Sequence, residues 1–305
     1  MSAVALKNVD SQEETTSHTS GASSRGVKEL PLNTVFQLGE TITDEQAAFL
    51  HQHGFLHFRG VASQSEVDAI CEEVDKLQAA WLAEGKKEIF GIPLFKGAGE
   101  GKKERIQRMP FTSCFSSVIK EFVRDVRFEP VRRLVGENAR IGDQEKDGVV
   151  VNTYVNVPGS VYPRLGWHTD GLRDLAYLKM PAQMLNVGLH LTDCPKENGG
   201  LRLIPGTHRQ GFWSMCFRKA YFVSHKPDPK EGCVETRAGD LTVHDGRLWH
   251  RVEQSPYEGV KSLRRSMYVP YLTDEFHPKG AKSKTPIYHY LGMVGRAITR
   301  WRARD

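Results

Sequence analysis

From Gly148 onward the chain reads as a succession of short β-rich runs, each broken by Gly, Pro, Asn or Asp. They cover 149–157, 166–170, 183–191, 201–204, 233–237, 240–244, 248–252 and 264–271. Many short strands at such turn-punctuated spacing predict a barrel or jelly roll. The sequence before Gly148 has a different texture. Thr43-Asp44-Glu45-Gln46 and Ser63-Gln64-Ser65-Glu66 both have the capping-box form that opens a helix. Behind the second box, Val67, Ile70, Cys71, Val74, Leu77 and Trp81 recur at helical spacing until Gly85. Gly54 stops the first helix, and Phe55-Leu56-His57-Phe58 predicts a strand. Residues 86–113, rich in Gly and Lys without clear period, predict a mobile loop. Helical character returns from Ser116 to Val135. Residues 1–29, rich in Ser, Thr, Glu and Gly, predict a disordered tail. No linker cuts the remainder, so 30–305 is expected to be a single domain, mainly β, with an N-terminal helical layer packed on the barrel.

Composition excludes several function classes. No apolar run approaches the roughly 18–20 residues of a membrane span, and the amino terminus lacks a signal peptide's pattern. Cys71, Cys114, Cys194, Cys216 and Cys233 are odd in number and scattered, with no Cys-x-x-Cys. Free thiols in a reducing, cytoplasmic setting fit that better than a disulfide framework or a zinc ribbon. The net charge is +5, with a basic end in Arg296, Arg300, Arg302 and Arg304. No base-reading or stacking motif accompanies it, so a solvated helix face is expected there and not a nucleic-acid interface. Nothing in the sequence sets an oligomeric state.

The chemistry concentrates in two runs. Gly166-Trp167-His168-Thr169-Asp170-Gly171 holds a His-x-Asp pair, and on an extended segment both side chains leave the same face. Gly239-Asp240-Leu241-Thr242-Val243-His244-Asp245-Gly246-Arg247-Leu248-Trp249-His250 holds two histidines at an even separation, either of which could supply a second imidazole. Two imidazoles and one carboxylate on one face of a metal form the facial triad of non-haem Fe(II) oxygenases, with open positions opposite. Alone, a His-x-Asp pair is a weak signal in a chain with 12 histidines.

Four blocks in register strengthen it. Trp167-His168-Thr169-Asp170-Gly171, Glu197-Asn198-Gly199-Gly200 through Pro205-Gly206-Thr207-His208, Gly239-Asp240 through Trp249-His250, and Arg264-Arg265-Ser266-Met267 follow one another in an order that resembles the phytanoyl-CoA dioxygenase family of Fe(II)- and 2-oxoglutarate-dependent oxygenases. The resemblance runs from about residue 43 to 272. It implies a double-stranded β-helix, the cupin-like jelly roll. It also implies His168, Asp170 and His250 as catalytic metal ligands for Fe(II), with 2-oxoglutarate and O2 as co-substrates. His244 then falls to a structural or supporting role, and His208 to a non-ligand one. Arg264 stands where the family carries its 2-oxoglutarate arginine, whose planar fork matches a carboxylate. Arg265 would face the opposite side of the strand, towards solvent or a helix. Asn152 and Gln183, on strands expected to flank the metal, could donate hydrogen bonds to 2-oxoglutarate. Their bland alternative is ordinary strand polarity.

Residues 171–182 and 209–231 are the candidate substrate walls. Phe212, Trp213, Phe217, Tyr221 and Phe222 would supply apolar surface, and Arg173, Lys179, Arg218 and Lys219 could anchor an acidic group. Trp167 and Trp249 are expected to pack beside the ligands and hold them. The implied reaction is hydroxylation, or a related C–H oxidation, of a small organic molecule of secondary metabolism. Intact Asp170 argues against halogenation, which replaces that carboxylate. The rival readings are a cupin-like metalloenzyme of another reaction class and a catalytically silent binding barrel.

Overall fold

The computed structural model describes residues 30–99, 101, 103–161, 163–286 and 289–290. The tail expected over 1–29 and the basic end from Arg296 lie outside the described residues. Both capping boxes form. Thr43 opens α1 (Asp44–His53) and Ser63 opens α2 (Gln64–Ala83), each accepting from the N3 backbone while Gln46 and Glu66 reach back to the cap. α1 ends at Gly54, with φ 83°. A Cβ there would lie 2.4 Å from His208 Nδ1, so both conformation and space require glycine. β1 (Phe55–Phe58) follows directly.

Residues 86–113 do not form a loop. They carry β2 (Glu88–Ile89), β3 (Ile92–Pro93), β4 (Phe95–Ala98) and β5 (Glu104–Met109), and β5 joins a large sheet through Arg108 opposite Asn152. The alternation is hidden there because β4 has no buried residue and β5 turns Arg108 towards a cavity. Next come α3 (Ser117–Val123), α4 (Glu129–Arg133), β6 (Arg140–Ile141), β7 (Val150–Tyr154), β8 (Leu165–His168) and α5 (Leu172–Ala176). The chain continues through β9 (Met184–His190), β10 (Gly200–Leu203), α6 (Phe212–Phe217), β11 (Gly232–Cys233), β12 (Leu241–Asp245), β13 (His250–Glu253) and β14 (Arg264–Leu272). Of the run expected over 233–237, only its start is strand; Thr236 makes an isolated bridge to Cys194.

Two antiparallel sheets make the jelly roll. The larger runs β1-β12-β9-β14-β7-β5-β4, with β6 also paired to β14, and the smaller runs β11-β10-β13-β8. Alternation sorts the large sheet's residues cleanly. Val187, Leu189, Leu241, Met267, Val269 and Tyr271 face Phe122, Val123 and Phe128 of the helical layer. Val150, Asn152, Tyr154, Met184, Asn186, Tyr268 and Pro270 point the other way, into a cavity shared with the small sheet. Burying each large apolar side chain on the outer face contributes about 1.5–3 kcal/mol.

Asp240 pins β1 to β12. It is fully buried, and its carboxylate accepts from His57 Nε2 at 2.9 Å, Arg59 Nη1 at 2.6 Å, Gly60 N at 3.0 Å and Arg237 N at 2.8 Å. Four donors compensate the cost of burying that charge. Among the described residues no helix is long and apolar enough to cross a membrane.

Candidate metal centre and cavity

His168 and His250 sit directly opposite each other in the β8–β13 pair, with ring centroids 4.1 Å apart. Directly opposed strand residues are close neighbours on one face, so this register brings two distant histidines together. β8 ends at His168, which shortens the run expected over 166–170. Asp170 belongs to the following turn, where its N–H donates to Gly246 O at 2.8 Å. The turn keeps the carboxylate on the histidine side. One donor atom from each of His168, Asp170 and His250 lies within 4.8 Å of the others.

Each imidazole is anchored at its far nitrogen. His168 Nδ1 meets Gly166 O at 2.9 Å and His250 Nδ1 meets Leu248 O at 3.0 Å. A proton on Nδ1 satisfies those carbonyls and leaves the Nε2 lone pair for a metal. Burial pushes both imidazoles below the ordinary histidine range, His250 well below it. Both are therefore in the neutral form that binds metal. Enclosure pushes the Asp170 carboxyl up, but the surrounding His250, His244 and His168 outweigh that and hold it below the usual carboxylate range. The anchored imidazoles and the neighbouring carboxylate are thus preorganised.

The supports around β8 are specific. Phe222 stacks on His168 with centroids 5.2 Å apart, and its N–H donates to Trp167 O at 2.9 Å. Gly166 has no room for a Cβ, which would lie 2.5 Å from Phe222 O. Trp167 and Trp249 are fully buried and pack with Ile204 and Tyr221, as their position beside the ligands leads one to expect. His208 is turned away towards His51 O at 3.1 Å. His244 is not turned away. It faces inward from the large sheet, its Nε2 3.1 Å from Asp170 Oδ2, although it does not join the three-residue cluster.

Arg264 shares the inward face of β14 with Ser266, Tyr268 and Pro270. Its guanidinium lies over the Tyr154 ring at 5.6 Å, beside the cavity and not in its lining. Nη1 donates to Glu253 O at 2.6 Å and Nη2 to Pro163 O at 3.2 Å, while Nε is buried without an acceptor. Arg265 faces the helical layer and pairs with Asp75 of α2 at 2.7 Å. Asn152 lines the cavity. Gln183 does not: it is exposed, one residue ahead of β9, and its parity belongs to the outward set of Leu185, Val187 and Leu189.

The cavity measures about 230 Å³. One wall is polar, with Arg108, Lys146, Asp147, Asn152 and His289; Phe95, Leu165, Leu172, Met184 and Phe222 supply apolar surface. The expected substrate anchors do not line it. Lys179 and Arg218 are exposed, Lys219 pairs with Asp228 at 2.7 Å, and the Arg173 side chain lies outside the described residues. Of the expected aromatics only Phe222 reaches the cavity; Trp213 and Phe217 are exposed, stacked on each other. Arg108 and Lys146 went unnoticed because they sit in segments without clear strand pattern.

Comparison with known proteins agrees with this fold. Dioxygenase af480 of Aspergillus fumigatus is 24% identical over 210 residues, 68% of this chain and 60% of that protein's length, so the match leaves much of the relative uncovered. HygX of Streptomyces hygroscopicus, crystallised with nickel and 2-oxoglutarate, superposes with a TM-score of 0.54 at 20% identity, covering 78% of this chain and 89% of HygX. AviO1 of Streptomyces viridochromogenes gives a TM-score of 0.53 at 17% identity over 76% of this chain and 96% of its own. SnoN, the non-heme alpha-ketoglutarate-dependent epimerase of nogalamycin biosynthesis, gives 0.52 at 20% identity over 74% and 80%. These structures share the jelly-roll fold. Residues 50–255, about two thirds of the sequence, match the model of the phytanoyl-CoA dioxygenase family, and the chain belongs to that family.

Proposed function

We propose that this protein is an Fe(II)- and 2-oxoglutarate-dependent oxygenase that hydroxylates, or otherwise oxidises a C–H bond of, a small organic molecule of secondary metabolism. One observation carries the reading: His168, Asp170 and His250 present three donor atoms within 4.8 Å of one another beside an open cavity. Two imidazoles and one carboxylate suit Fe(II) and leave about three coordination positions free. These residues would hold Fe(II), which together with 2-oxoglutarate would supply the O2 activation, while the protein would bind, orient and shield the substrate. The orphaned Nε of Arg264 fits a carboxylate, so Arg264 would bind the distal carboxylate of 2-oxoglutarate, with Asn152 donating a hydrogen bond from the neighbouring strand.

The substrate would rest on the apolar surface and face Arg108 and Lys146 with any acidic group it carries. HygX has been crystallised with hygromycin B and SnoN with nogalamycin RO, which supports a natural-product substrate here. A cytoplasmic location accords with the five free cysteines.

The test is anaerobic addition of Fe(II) and 2-oxoglutarate to metal-stripped protein, followed by oxygen. A visible charge-transfer band, then O2 uptake with succinate formation, is expected. A folded, metal-loaded protein with neither band nor succinate would instead favour a cupin-like enzyme of another reaction class.

A further inference from the structure

Asp170 is held differently from its two partners. His168 and His250 are fixed by carbonyls two residues back on their own chain. The Asp170 carboxylate is fixed from across the cavity. Its Oδ2 accepts from Asn186 Nδ2 at 3.0 Å and lies 3.1 Å from His244 Nε2, while Oδ1 lies 3.9 Å from His250 Nε2. His244 and Asn186 are directly paired in the β12–β9 register, so both side chains leave the same face at the same level. The His244 side chain is 3% exposed, and its Nδ1 is buried without a hydrogen-bond partner. A proton on Nδ1 would be a buried, unsatisfied donor and would aim the Nε2 lone pair at a carboxylate. The proton therefore sits on Nε2 and is donated to Asp170.

We propose that His244 and Asn186 are positioning residues which together occupy Asp170 Oδ2, so that only Oδ1 is presented to the metal. The inference rests on the metal site proposed above. An oxygen accepting two N–H donors has its lone pairs engaged and cannot chelate. A carboxylate free to bind through both oxygens would take one of the positions needed for 2-oxoglutarate and O2. The large sheet thereby enforces one-oxygen ligation on a residue that the small sheet only delivers.

The test uses the full chain and reads Fe(II) affinity by anaerobic titration, with the visible band of the Fe(II)–2-oxoglutarate complex as a second readout. Loss of a partner that orients a metal ligand typically costs about 10–100-fold in affinity. His244→Phe and Asn186→Leu are each expected to weaken Fe(II) binding by about that factor and to shift the band. His244→Gln, whose amide still donates, should stay within about threefold of wild type. Simple packing would reverse that order, since Phe fills an aromatic slot better than Gln does. Wild-type affinity in His244→Phe, equal weakening in His244→Gln, or a silent Asn186→Leu would each overturn the proposal. Should His244→Phe fail to fold, Asn186→Leu interrogates the same oxygen from the other strand. Wild-type protein that binds no Fe(II) would remove the metal-site reading as well. Tight wild-type binding with unchanged variants would sink this inference alone.

Discussion

The two sheets that enclose the cavity divide its work. The small sheet and the turn after β8 deliver all three candidate metal ligands, and local main-chain carbonyls set the angle of both imidazoles. The large sheet supplies none of that triad. It contributes Asn186 and His244, which contact Asp170 from distant parts of the chain, and carries Arg264 and Asn152, the residues proposed to bind the co-substrate. The lesson is that the identity of the candidate ligands is a local property here, whereas their geometry, and the proposed co-substrate contacts, depend on how strands from elsewhere register against them. Changes in the small sheet should be all-or-none, and those in the large sheet graded.

The largest effect is expected from His168→Ala. Removing one of three ligands should reduce iron binding and succinate formation to background while circular dichroism stays native. Persisting wild-type turnover would erase the distinction between the sheets. Next in size is Arg264→Lys, which keeps the charge but loses the fork. Disturbing a buried charge pair costs roughly 3–5 kcal/mol, and the retained charge should keep the loss near the low end. At about 1.4 kcal/mol per decade, the 2-oxoglutarate requirement should rise on the order of a hundredfold with iron binding near normal. Arg265→Lys, on the helix-facing side with Asp75, should leave that requirement unchanged. A reversed result would mean that β14 is one residue out of register.

The large sheet also carries an acid liability. His190 is buried with Nε2 3.0 Å from Thr242 Oγ1, and burial pushes its pKa from 6.5 down to about 3. Between those values the unfolded chain takes up a proton that the folded chain excludes. Its contribution is therefore intact above pH 6.5 and is lost as the pH falls towards 3. The slope from this one residue is about 1.4 kcal/mol per pH unit. Urea midpoints measured from pH 7 to pH 5 should fall less steeply in His190→Gln than in wild type. The smallest contrast lies between Asn152→Ala and Gln183→Ala. Losing one hydrogen bond costs about 1 kcal/mol, so Asn152→Ala should raise the KM for 2-oxoglutarate several-fold. Gln183→Ala should not move it.

The same division explains what the sequence made legible. The capping boxes at Thr43 and Ser63, the strand texture after Gly148 and the opposite facing of Arg264 and Arg265 are local patterns, and the structure has them. His168, Asp170 and His250 were legible because each sits in a compact block of sequence. The facing of β9 was not: Met184 and Asn186 point into the cavity, which leaves Gln183 on the opposite parity. β5 was missed because its inward side carries Arg108, a cavity residue that breaks the apolar alternation. Asn186 reaches Asp170 across 16 residues and His244 across 74, and no short-range pattern encodes such a contact.

The metal centre is tested most directly by anomalous diffraction at the iron edge from crystals grown anaerobically with Fe(II) and 2-oxoglutarate. One iron should appear, bonded to His168 Nε2, His250 Nε2 and one oxygen of Asp170, with 2-oxoglutarate chelated and its far carboxylate on Arg264. Iron bonded to His244 in place of His250, or an occupied metal site without 2-oxoglutarate, would contradict it.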